Sequence, residues 1–207
     1  MSEPSVDPGR FYGEAIPAQF NRALEAQAAR GEAGRRVYDA MRAVSATIRV
    51  DVEGPGGGTW FLNIREGRMS AGERAAHPPF LTLIQDRRAV ERIARESADS
   101  AMALLGGLSG LAGEMKLTRA RIDALSGLEG LVLFEVSGEE GFSLRTHFGP
   151  GPVPDAPTTT IRVDEAAYRD LRSGALDPQT AFMNQQIAIE GNMQVAMQLA
   201  LAAIAPD

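Results

Sequence analysis

The chain repeats itself, and that limits the folds open to it more than any single motif. Thr82, Asp86, Ala89, Asp99, Ala103, Gly113 and Met115 recur without a gap at Thr160, Asp164, Ala167, Asp177, Ala181, Gly191 and Met193. Upstream, Arg36-Val37-Tyr38-Asp39-Ala40-Met41 before a strand at Ile48 is echoed by Arg121-Ile122-Asp123-Ala124-Leu125 before Leu131-Val132-Leu133-Phe134-Glu135-Val136. Trp60-Phe61-Leu62 is matched with Phe142-Ser143-Leu144, and Thr82-Leu83-Ile84-Gln85-Asp86 with Thr160-Ile161-Arg162-Val163-Asp164. The order of expected elements also repeats: helix, three strands, helix, apolar turn, helix. Self-similarity on this scale marks a duplicated supersecondary unit. The reading is an α+β fold with a disordered tail over 1–15, a first repeat over 16–126 and a second over 127–207. A helix spanning Met115 to Ser126 closes the first repeat and opens the second. No Pro/Ser-rich linker separates them, which predicts one compact body.

Local patterns support this order. Phe20, Ala23, Leu24 and Gln27 lie at helical spacing behind Pro17, a residue suited to a first turn. A second helix over Arg35 to Val44 leads into a strand where Ile48, Val50 and Val52 alternate with Arg49 and Asp51. The run Gly54-Pro55-Gly56-Gly57-Gly58 turns the chain, and Thr59 to Ile64 pairs back as a hairpin up to the Glu66-Gly67 break. Phe80 to Ile84 is a further strand, followed by a helix capped by Asp86 and carrying Val90 and Ile93. The Gly-rich apolar stretch from Ala101 to Gly113 fits no element cleanly.

Composition narrows the function. The formal net charge is -6 with no run of Lys or Arg, so nucleic acid finds no electrostatic footprint. Without cysteine there is no disulfide or thiolate chemistry, and His77 and His147 are too far apart in sequence for the usual zinc motifs. Residues 1–10 lack the basic start and apolar core of a signal peptide, and no apolar run reaches the roughly 20 residues that span a bilayer. The expectation is a cytoplasmic protein.

The most informative stretch runs from Leu176-Asp177-Pro178-Gln179-Thr180-Ala181-Phe182-Met183 through Ile187-Ala188-Ile189-Glu190-Gly191-Asn192-Met193 to Met197 and Leu199. Asp177 caps a helix beginning at Pro178, Ile187 and Ile189 alternate across a strand, and Gly191 allows a tight turn into a last helix. Met193, Ala196, Met197, Ala200, Leu201 and Ile204 then form one apolar face at helical spacing. This stretch resembles the C-terminal signature of the sterol carrier protein family, closely over residues 128–207 and weakly over 17–127. The resemblance implies a five-stranded sheet backed by helices, with a tunnel for sterols, fatty acyl chains or phospholipids between sheet and last helix. It makes the chain a lipid carrier rather than an enzyme, with an apolar small molecule as partner, transient membrane contact open to it and no cofactor. The signature is complete only in the second repeat, so the tunnel is expected there, lined by Phe134, Leu144, Phe182, Met183, Ile187, Ile189, Met193 and Met197. Flexible Met side chains suit a loosely specified ligand. In the first repeat, Leu104 to Gly113 replaces the corresponding strand with Gly106, Gly107 and Gly110, which leaves a lid or structural half. Where the family commonly has Gly-Lys and a second Lys, this chain has Asn184-Gln185 and Ala188, so positive charge for acidic head groups or acyl-CoA phosphates is missing.

Other candidates for chemistry are weaker. His147, at a strand end before the loop Gly149 to Pro154, is a candidate general base, and an enzyme or enzyme accessory that presents an apolar substrate to it or to a carboxylate is the alternative. A ligand-free interaction module is the third reading. Gly54 to Gly58 lacks the Gly-Lys-Ser/Thr ending of a phosphate loop. Glu139-Glu140 and Asp164-Glu165 occupy turn and helix-start positions that favour negative charge for structural reasons.

Overall fold

The computed structural model describes residues 6–96 and 116–204, with the side chains of Pro178, Ala203 and Ile204 left aside. The stretch Ala101 to Gly113, the matches at Asp99, Ala103, Gly113 and Met115, and the tail residues 1–5 lie outside the described residues. The strands are β1 (Ala46–Val52), β2 (Gly58–Arg65), β3 (Arg68–Gly72), β4 (Pro79–Gln85), β5 (Gly130–Ser137), β6 (Phe142–Phe148), β7 (Thr159–Asp164) and β8 (Ile187–Gly191). They form a single sheet in the order β3-β2-β1-β4-β6-β5-β7-β8.

Read from its middle, the sheet is two copies of one arrangement. In each half an antiparallel hairpin, β1-β2 or β5-β6, is followed by a strand parallel to the first, β4 or β7. The hairpin turns match in detail. Gly57 N–H donates to the Gly54 carbonyl at 3.0 Å, and Gly141 N–H to the Gly138 carbonyl at 3.1 Å. A Cβ at Gly57 would stand 2.1 Å from the Val52 carbonyl oxygen, and one at Gly141 2.4 Å from that of Val136, so both turns require glycine. This register places Gly58 and Phe142, opposite Val52 and Val136, in equivalent positions. Leu144 therefore corresponds to Trp60, which corrects the sequence match of Trp60 with Phe142 by two residues. The strands after the hairpins end alike, as the Asp86 and Asp164 carboxylates each accept from a backbone N–H three residues on, at 2.7 Å.

The halves fuse instead of forming two separate five-stranded sheets. β4 pairs antiparallel with β6, from Leu81 opposite Phe148 to Gln85 opposite Leu144. That pairing occupies the edge of β6 where a partner equivalent to β3 would lie, and the edge of β4 where one equivalent to β8 would lie.

Helices α1 (Pro8–Arg10), α2 (Ile16–Ala28), α3 (Gly31–Arg42), α4 (Arg87–Glu96), α5 (Arg119–Ser126), α6 (Glu165–Ser173), α7 (Pro178–Met183) and α8 (Met193–Ile204) accompany the sheet among the described residues, with a π-helical turn over Phe11–Ala15 joining the first two. The buried side chains of these helices form one core cluster with Val50, Leu83, Phe134, Leu144 and Ile161 from the sheet. α5 belongs to both halves. Its exit repeats that of α3, since Gly127 N–H reaches the Asp123 carbonyl and Leu128 N–H that of Leu125, as Ala43 reaches Asp39 and Val44 reaches Met41. It also packs on β4 and α8, and Arg121 Nε donates to the Ala202 carbonyl at 2.9 Å.

Two expectations need correction. Residues 8–15 of the supposed disordered tail are helical, with Pro8 in a first turn where no N–H donor is needed and Asp7 accepting from Gly9 N–H at 2.9 Å. Tyr12 is wholly buried beside Phe11 and Trp60, ring centroids 4.9 and 5.9 Å away, so apolar burial outweighs the breaker composition. Glu66-Gly67 is more than a break. Both residues have positive φ and form the two-residue turn of a hairpin that adds β3 at the sheet edge.

The shared sheet predicts cooperative unfolding. Fluorescence of Trp60, in the first half, and far-ultraviolet circular dichroism of the whole chain should give coincident denaturant transitions, whereas two separated transitions would contradict a single body.

Candidate functional site

Alternation along each strand sends successive side chains to opposite faces, and cross-strand partners share a face. One row therefore crosses seven strands on the helix-covered side: Ile189, Ile161, Phe134, Leu144, Gln85, Val52 and Gly58, on β8, β7, β5, β6, β4, β1 and β2. In the second half this row is wholly apolar. Ile187, Val163, Val136 and Phe142 make a second apolar row beside it. Phe134, Phe142 and Tyr168 of α6 pack as an aromatic triangle, with centroids 5.4 to 6.4 Å apart.

The eight residues expected to line a tunnel divide into two sets. Phe134, Leu144 and Ile187 are buried and Ile189 is half-buried, all on the helix side of the sheet. Phe182, Met183, Met193 and Met197 are exposed, Met183 at 74% and Met197 at 60%. The structure thus brings the strand residues together under the helices and leaves the α7 and α8 residues outside. α8 turns Val195, Ala196, Leu199 and Ala202 inward and Met193, Met197 and Leu201 outward. The expected inward face of Met193, Met197 and Leu201 is corrected accordingly. This helix is apolar on more than one side, so periodicity could not choose the buried one, and it seats in part through the small Ala196 and Ala202.

Sequence reasoning missed three members of this region. Phe142 could have been found by alternation with Leu144, and Tyr168 by its helical spacing from Leu171. Gln85 carried no local signal. It is buried in the row where β4 meets β6, and its Oε1 accepts from the Tyr12 hydroxyl at 2.5 Å. Its Nε2 has no hydrogen-bond partner among the described residues. Burial pushes the Tyr12 hydroxyl pKa up, so it remains a neutral donor.

Charge gathers around this apolar layer rather than inside it. Arg92 of α4, nearly buried, pairs with Glu96 and Glu140 and lies 3.7 Å from Glu165. Glu96 also accepts from Arg172 at 2.7 Å and from the Tyr168 hydroxyl at 2.7 Å, which ties α4 of the first half to α6 of the second. Glu140, Asp164 and Glu165 are thereby accounted for as structural. The far face of the sheet carries Arg49, Asp51, Arg145, Glu135 and Arg162 in ion pairs. His147 lies on that far face, opposite Leu131 and Thr82, and desolvation lowers its pKa, favouring the neutral ring. It is separated from the apolar row by the sheet itself. His77 lines an open cleft of about 200 Å³ between β4 and α5, together with Phe80, Ile122 and the ion-paired Arg119 and Asp123. Among the described residues no group of three or more His, Cys, Asp or Glu could hold a metal ion, and no helix is long and apolar enough to cross a membrane.

The model of the SCP-2 sterol transfer family matches residues 27–121 and again 116–203, so the two matches overlap over 116–121, across the start of α5. The chain belongs to this family. Two consecutive matches agree with the duplication seen in the sheet, and SCP-2 membership supports lipid binding or transfer as the general class of function. Among solved structures, the chain is similar to sterol carrier protein 2 from Yarrowia lipolytica in its apo form, at 14% identity over 39% of this chain and 76% of that one, with a TM-score of 0.30. It is also similar to sterol carrier protein 2 like 2 from Aedes aegypti, at 15% identity over 57% and 97%, with a TM-score of 0.32. No curated protein matches the chain.

The orientation of α8 in this SCP-2 chain is testable by thermal or denaturant unfolding. Leu199→Ala should cost about 2 to 5 kcal/mol, as for a buried Leu. Met197→Gln should change stability by no more than about 0.5 kcal/mol, and the reverse ranking would refute the orientation.

Proposed function

We propose that this SCP-2 family member is a lipid carrier that holds a sterol or fatty acyl chain on the helix side of its second half, over residues 127–207. The floor of the site is the strand row of Phe134, Leu144 and Ile189 with neighbouring Ile187. Phe182 and Met183 of α7, and Met193 and Met197 of α8, face outward and lie outside this floor. The first half, 16–126, is the structural half. What carries the reading is the unbroken apolar row across β8, β7, β5 and β6, beneath a helix seated partly through small residues.

The mechanism needs no bond-making step. Apolar ligand surface leaves water at a gain of about 25 cal/mol per Å², offset by the cost of ordering ligand and protein. To admit a chain, α8 moves off the sheet, exchanging its contacts through Val195, Ala196, Leu199 and Ala202 for contacts with the ligand. Lacking Lys at Asn184-Gln185 and Ala188, the site favours lipids without phosphate groups over acyl-CoA. Catalysis by His147 is disfavoured by its place on the opposite face of the sheet.

The test is extraction and mass analysis of whatever copurifies, followed by titration of the delipidated protein with a fluorescent fatty acid. A lipid should be recovered. Ile189→Trp, at the half-buried end of the row, should weaken the probe by tenfold or more, while His147→Ala should leave binding intact. A protein that binds no probe, or a product whose formation is lost with His147→Ala, would overturn the carrier reading.

A further inference from the structure

We propose that the outward stripe of α8, formed by Met193, Met197 and Leu201, is the surface by which the protein lies on a lipid bilayer of no net charge. This rests on the carrier reading, since a carrier exchanges its cargo at a lipid surface. The large hydrophobic side chains exposed among the described residues are Phe182, Met183, Met193, Met197 and Leu201, all within the last two helices. Three of them recur every fourth residue along α8, on a single line about 12 Å long. Apolar side chains clustered outside a folded chain mark a contact surface for a partner or a membrane.

Charge chooses between these partners. α7 and α8 contain no charged residue, and the one ionisable side chain between Pro178 and Ile204, Glu190, is held by Arg162 at 2.5 Å. The chain as a whole is acidic, at -6, so an anionic bilayer repels it and the stripe offers no cation to compensate. A zwitterionic surface matches an uncharged stripe. A protein partner would ask for about one hydrogen bond per 100 to 200 Å² of interface, and beside the stripe α8 offers only the exposed Gln194 and Gln198 side chains. Lipid tails ask for none. Unbranched Met side chains also adapt to a fluid, irregular surface. At 12 residues, α8 is too short to span a bilayer and would lie in the interface. Its inner side covers the proposed ligand floor, so a bilayer on its outer side stands one helix diameter away, about 10 Å.

The experiment compares the full chain with the triple variant Met193→Gln/Met197→Gln/Leu201→Gln, and with Met197→Gln alone, in sedimentation with phosphatidylcholine vesicles. Binding of a monomeric fluorescent fatty acid in solution and circular dichroism are measured on the same samples. The wild-type chain should partition to the vesicles. The triple variant should partition at least tenfold more weakly and the single variant about threefold, with folding and probe binding unchanged. Adding phosphatidylserine should weaken partition. The proposal fails if the wild-type chain ignores phosphatidylcholine, if it requires phosphatidylserine, or if the triple variant partitions equally well. It also fails if the substitutions only dissociate a self-associated chain, which would make the stripe an interface between copies. Probe binding without vesicle binding would overturn the stripe and spare the carrier reading. Vesicle binding that depends on the stripe, without probe binding, would do the opposite.

Discussion

The pairing of β4 with β6 is the contact on which the rest of this structure depends. Each half, taken alone, would leave an apolar strand edge open, Leu81 and Leu83 on one side and Leu144 and Phe148 on the other, and open edges of that kind invite association with other chains. Joining them turns two four-stranded pieces into one eight-stranded sheet and fixes the register between the copies. A slip of one residue there would set Leu144 and Gln85 on opposite faces of the sheet. α4 packs across the seam, and Arg92 with its glutamates fastens it to the second half. Because Arg92 is almost enclosed, its partners satisfy a charge that would otherwise be costly to bury.

That seam also divides labour between copies of one ancestral pattern. The first half buries its sheet under a thick cover, α2 and the π-helical turn, with Tyr12, Phe20 and Leu24 fully enclosed. The second is covered by α6, α7 and α8, of which α7 is short and α8 presents small residues inward. Ligand entry needs a cover that can separate from its sheet, and the energetic cost of separation is smaller where the seat is built from Val195, Ala196, Ala202 and a single leucine, Leu199, than where it is built from Phe and Tyr. Gln85 marks the transition in the floor, the point at which an otherwise apolar row acquires a polar group.

Much of the fold was legible because its elements carry local signatures. Ile48, Val50 and Val52 alternate, Asp86 and Asp177 cap, and Ile187 and Ile189 bracket an edge strand, each as its residue type demands. The duplication was legible for the same reason, although the matched Trp60 and Phe142 prove two residues out of step once cross-strand partners set the alignment. What escaped was long-range or degenerate. Nothing local in Leu81 to Gln85 announces a partner in β6, and Tyr12 finds its acceptor at Gln85 far along the chain. α8 escaped because a helix apolar on more than one side has no preferred face until packing chooses one. That ambiguity is why Phe134, Leu144 and Ile187 lie within while Met193 and Met197 face out.

Photolabelling tests the central claim that the second half holds the lipid. A fatty acid carrying a diazirine near the end of its chain would be bound to the delipidated protein, irradiated and mapped by peptide mass spectrometry. The account predicts adducts within β5, β6 and β8 and on the inner side of α8, at Phe134, Leu144, Ile189 and Leu199 and their immediate neighbours, competed away by unlabelled fatty acid. Competed adducts confined to β1, β2 or α2 of the first half, or to the His147 face of the sheet, would contradict it.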